Sequence, residues 1–183
     1  MLDAALLSYL LAAAARLSGY DPVPFEQLPS VQLLPASVLR SQVCPVQPQT
    51  CADMVAIYDH TRSRILVSDE LDPHSSRDNS FIVHELVHVL ESRRKASQYQ
   101  TDCEETLESE RTAYRAQNLY LREQGRPERY GGQLQQMVCA REQPLGASAM
   151  RLEMAPVGSR DEMALEAFMQ DLGRRRSANA PPR

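Results

Sequence analysis

The 183-residue sequence contains a single lysine, Lys95, against nineteen arginines. That imbalance reads as a genomic codon bias and is no evidence of a binding patch. With a net charge of −4 the chain offers no basic surface to nucleic acid or to an anionic membrane. Long apolar runs are also missing. The most apolar stretch, Met1 to Gly19, carries Asp3 and Arg16 and is too short to span a bilayer. It lacks the basic start and small-residue cleavage site of a signal peptide, so it reads as a helix of the folded domain. No internal repeat is visible. The four cysteines, Cys44, Cys51, Cys103 and Cys139, lack the paired spacing of a zinc ribbon. Histidine is scarce as well: there are four, and none follows His88.

Two of those histidines lie in the stretch that organises the chain. His84, Glu85 and His88 form His-Glu-x-x-His within Phe81 to Leu90. In a helix, residues four apart share a face, so His84 and His88 can bind one divalent cation, with zinc the usual occupant. Glu85 carries a carboxylate able to take a proton from water held at that cation. Ile82, Val83, Leu86, Val87, Val89 and Leu90 make the remaining faces apolar, which predicts a buried helix. Asp72 to Asp78 is rich in turn and N-cap residues and predicts its start. Glu91, Arg93, Arg94 and Lys95 predict a solvated end.

A catalytic zinc normally has three protein ligands and a water. With no histidine after His88, the third ligand is expected from a second helix, Asp102 to Gln124, stopped by Gly125 and Pro127. Its glutamates are Glu104, Glu105, Glu108 and Glu110. The first two read as charge complementing the helix dipole. Glu110 shares a stripe with Ala113, Tyr114 and Gln117, where a small residue one turn on allows close helix approach. Glu108, on a stripe with Arg111, Thr112 and Arg115, is the competitor. Glu110 is preferred.

The pairing of Glu110-Arg-Thr-Ala113 with the upstream motif resembles the Glu-x-x-Ala signature of gluzincin-type zinc metallopeptidases. The stretch from Phe81 to Leu121 is also similar to an uncharacterised bacterial family with this motif pair. The resemblance implies a zinc ion held by His84, His88 and Glu110, with Glu85 as general base and a peptide or protein as substrate. It departs from thermolysin-like members in spacing. They place nineteen residues between the second histidine and the glutamate, a spacing met here by Glu108, whereas Glu110 follows twenty-one. The absence of a later histidine excludes a metzincin.

The implied fold is α+β, a mostly helical zincin-like domain with a small antiparallel hairpin or sheet beside the motif helix. Val31 to Leu34 reads as a strand and Ala36 to Val43 as a short helix. Val55 to Tyr58 and Arg64 to Ser68 read as a hairpin around a polar turn. In zinc peptidases such a strand aligns the substrate backbone, and Arg64 to Ser68 is the candidate edge. A short helix is expected over Gln133 to Ala140. Ser159 to Glu162 reads as a capping box opening a helix to Leu172. Residues 1–173 make one expected domain and 174–183 a disordered tail.

Four cysteines allow three pairings. Cys44 with Cys51 across a Pro-rich loop, and Cys103 with Cys139 pinning the second helix, is the expected set. It implies a periplasmic or secreted protein, with free thiols in the cytoplasm as the alternative. Tyr114 and Tyr130 are candidate donors to a developing oxyanion, although Tyr114 can instead brace a histidine. The competing function is a non-catalytic metal-binding or partner-binding helical module, which a fourth side chain closing the metal site would mark.

Overall fold

The structure is a computed structural model that describes residues 2–96, 99, 102–135, 137 and 139. The expectations for residues 140–183, a capped helix and a basic tail, lie outside the described residues. Residues 1–139 form a compact unit of their own.

The unit is α+β and mostly helical. In chain order it runs α1 (Ala4–Ser18), β1 (Ser30–Leu34), α2 (Ala36–Val43), β2 (Ala56–Asp59), β3 (Arg64–Ser68), α3 (Ser76–Lys95) and α4 (Cys103–Glu123). Short 3-10 turns occupy Phe25–Gln27, Pro48–Cys51 and Gly132–Gln135. Of the helix expected over Gln133 to Ala140, the described residues contain only that last turn.

Local chemistry fixes the helix limits. The Ser75 hydroxyl accepts from the Asp78 backbone N–H and opens α3. Asp102 does the same for α4 through Glu105. Gly19, with φ at 77°, turns the chain out of α1 as only glycine does without strain.

α3 lies at the centre because it is apolar on nearly every face that the motif does not use. Ile82, Val83, Leu86, Val87, Val89 and Leu90 are all buried, with Leu7, Leu10, Leu11 and Ala14 of α1 in the same core. Ala113, Ala116 and Tyr120 of α4 and Ile65 and Val67 of β3 complete it. Burying one such Leu or Val is worth about 1.5–3 kcal/mol, so α3 contributes the largest share of core stability. Ala113 and Ala116 have no accessible surface, and their small side chains let α4 lie close against α3.

The sheet has three strands in the order β1-β3-β2. β2 and β3 form the expected antiparallel hairpin, with Tyr58 opposite Ile65. β1 adds in parallel on the other side of β3, with Val31 opposite Ile65. Arg64 to Ser68 is therefore the central strand and not the edge. Its run Ile-Leu-Val is buried on both faces, as a strand paired on both sides should be. β2 is the edge that meets α3.

Candidate metal centre

α3 and α4 bring His84, His88 and Glu110 together, the one group of its kind among the described residues able to hold a metal ion. The two Nε2 atoms are 3.1 Å apart. Glu110 Oε2 lies 3.4 Å from His84 Nε2, and Oε1 3.4 Å from His88 Nε2. A tetrahedral zinc with bonds of about 2.0–2.2 Å places its donor atoms ~3.3 Å apart. The three donors already stand at that spacing. Glu108 is exposed and takes no part. His60 and His74 are exposed too; His60 packs edge-on against Tyr99.

The hydrogen-bond network assigns the ring protons. Ser80 Oγ donates to the Arg77 carbonyl at 2.6 Å, so it accepts from Gln117 Nε2 at 3.1 Å. The Gln117 amide is thereby oriented with Oε1 towards His84 Nδ1, 3.2 Å away, which must be the protonated nitrogen. On the other ring, Ser109 Oγ donates to Glu91 Oε2, so it accepts from His88 Nδ1 at 3.0 Å. Both Nε2 atoms are left as lone pairs pointing at each other and at a carboxylate.

Three acceptors in contact require a cation. A proton is one solution. Burial pulls His88 towards neutrality, but its hydrogen bond to Glu110 and the charges of Glu85, Glu110 and Glu91 outweigh that, and its pKa is raised. Burial likewise pushes the Glu110 carboxyl up. Once an Nε2 carries a proton it can donate to that carboxyl, and such hydrogen bonds from His84 and His88 overcome burial and hold it well below the usual carboxylate range. A divalent ion would satisfy all three donors at once, so the residues fit a metal.

The group lines a cleft of about 930 Å³. Glu85, one residue from His84, lines the same cleft, and its Oε2 accepts from the Tyr58 backbone N–H of β2 at 2.8 Å. Tyr114 stands edge-on to His84 with ring centroids 4.4 Å apart. Burial first, then the charges of Glu110 and Glu85, raise the Tyr114 hydroxyl pKa, so it keeps its proton at neutral pH. Gly131, at φ 78°, passes so close that a Cβ there would lie 2.5 Å from Tyr114 Cγ. Glycine is required at that contact. Tyr130 next to it accepts from Arg77 Nε at 3.1 Å, and Asn118 grips its backbone N–H and carbonyl.

Sequence reasoning missed Ser80 and Ser109, and placed Gln117 on the ligand stripe without a partner. It also assigned Glu91 to a solvated helix end. Glu91 is instead 1% exposed and sits between Ser109 and Lys95. Its position one turn after His88 was the available signal, since residues three apart share a face.

Both expected disulfides are present, Cys44–Cys51 and Cys103–Cys139. They point to an oxidising compartment. Among the described residues no helix is long and apolar enough to cross a membrane.

A family model described as "Domain of unknown function (DUF6647)" matches residues 18–130, more than half of the chain. The match runs from the end of α1 through α4 and includes every residue of the metal centre. No curated protein and no solved structure matches the chain.

Proposed function

We propose that this chain, which belongs to the DUF6647 family, is a gluzincin-type zinc metallopeptidase of the periplasm or cell exterior. The observation that carries the reading is the convergence of three bare acceptor atoms beside Glu85 in an open cleft. His84, His88 and Glu110 would hold the zinc. When bound, zinc supplies a Lewis acid that acidifies a water and polarises a peptide carbonyl.

The chain's own groups do the rest. Glu85 takes the proton from the attacking water and returns it to the leaving amine. Its hydrogen bond from Tyr58 holds one carboxylate oxygen and leaves the other for that exchange. The hydroxyls of Tyr114 and Tyr130 are the candidates for donating to the developing oxyanion. A substrate backbone would lie along the outer edge of β2. Tyr58 N–H points away from β3 to Glu85, and Ala56, two residues back on the same strand, faces the same way, the orientation that strand addition would use.

The test is elemental analysis joined to one variant. Purified protein should carry one zinc, and Glu85→Gln should keep it while losing hydrolysis of a peptide library, because an amide accepts no proton. A wild type without zinc would refute the reading. A zinc-loaded wild type that cleaves nothing would favour a structural or partner-binding metal module.

A further inference from the structure

We infer that Glu91 is a positioning residue of the metal centre, acting on His88 through the Ser109 hydroxyl. The inference rests on the proposed zinc reading and extends it to a residue with no direct contact to the ligand atoms.

The two histidines are backed differently. Behind His84 stand the neutral Gln117 amide and the Ser80 hydroxyl. Behind His88 the chain of contacts ends in a carboxylate: His88 Nδ1 to Ser109 Oγ at 3.0 Å, then Ser109 Oγ to Glu91 Oε2. Glu91 is on α3 and Ser109 on α4, so the link crosses the helix pair that carries the ligands. The second oxygen of Glu91 takes Lys95 Nζ at 2.8 Å.

A carboxylate this deeply buried is costly, and a lysine at the protein margin offsets only part of the cost. A leucine would fill the space at no such expense. What a leucine could not do is take the Ser109 proton. That acceptance obliges Ser109 Oγ to receive the Nδ1 proton of His88, and so keeps Nε2 bare for the metal. It also sets negative charge behind the ring, which strengthens Nε2 as a donor. In a purely structural role Glu91 would clamp α3 to α4 and leave metal affinity alone.

The full-length chain is titrated with zinc against a chelator of known affinity, for the wild type, Glu91→Gln, Ser109→Ala and the double variant. Loss of an outer partner of a metal-bound histidine typically weakens binding about 10–100-fold. Glu91→Gln should fall at the low end of that range and Ser109→Ala within it. The double variant should lose clearly less than the product of the single losses, because Glu91 reaches His88 mainly through that hydroxyl, with its charge acting on the ring as well. In the metal-free protein, Glu91→Gln should also move the His88 Nδ1–H proton resonance and leave that of His84 in place.

Unchanged zinc affinity in Glu91→Gln, with only a lower melting temperature, would overturn the inference. So would a double variant whose loss equals the product of the single losses. Should Glu91→Gln fail to fold, Ser109→Ala alone decides, since wild-type affinity there breaks the link. A wild type that takes up no zinc would overturn the proposed function and this inference together; the outcomes above would overturn this inference alone.

Discussion

Ala113 offers a way to move one ligand without touching any of them. It has no accessible surface, lies one turn beyond Glu110, and is where α4 comes close to α3. Leucine adds three carbons to a contact with no room for them. Overpacking of this kind costs about 1–3 kcal/mol, or a fall in Tm of roughly 2–12 °C for a domain of this size. The helix can relieve the strain only by backing away, and Glu110 travels with it. Its oxygens start 3.4 Å from each Nε2. Two zinc bonds of about 2.1 Å, even in line, span at most ~4.2 Å. A retreat of about 1 Å therefore takes Glu110 out of reach. Ala113→Leu should thus lose at least tenfold in zinc affinity as well as stability. Ala14→Leu in α1, equally buried, should lose stability and keep its zinc. Thermal melts of the metal-free proteins and chelator-competition titrations read the two effects separately. Wild-type zinc affinity in a destabilised Ala113→Leu would refute the claim that α3–α4 spacing sets the site.

Glu110→Ala should weaken zinc binding by at least tenfold in the same titration, whereas Glu108→Ala, at an exposed position, should stay within about twofold and within ±0.5 kcal/mol of wild-type stability. Thiol titration of denatured, unreduced protein should find no free cysteine, and four free thiols would remove the argument for an oxidising compartment. Ser75→Ala should lower stability by about 1 kcal/mol in denaturant melts, through loss of the α3 cap, and leave zinc affinity unchanged.

The parts of the site that follow from helical periodicity were legible in the sequence. His84 and His88 four apart, and Glu110 on a stripe with Ala113 and Gln117, are local facts, and both helices start and stop where their caps indicate. What escaped depends on pairing between distant segments. β3 is central because β1, some thirty residues earlier, joins it in parallel, and no periodicity within Arg64 to Ser68 reports that neighbour. Glu91 was misplaced for the same reason. A glutamate followed by Ser92, Arg93, Arg94 and Lys95 looks solvated until Ser109 arrives from the next helix to share its carboxylate. Ser109 carried no signal of its own, since a hydroxyl in a helix is ordinary until its partners are known.

The hydrogen bond from Tyr58 ties the base to a different part of the fold from the ligands. Among the described residues, the side chains that hold or brace the three ligands lie between Ser80 and Gln117, on two consecutive helices. The base has its backbone partner on β2, outside that helix pair. Holding the metal and placing the base therefore depend on different contacts. A change confined to the contact between β2 and α3 would displace Glu85 and leave zinc content as it is. Metal content alone would then overstate the fraction of competent molecules, and the shortfall would lie in chains whose edge strand does not reach Glu85.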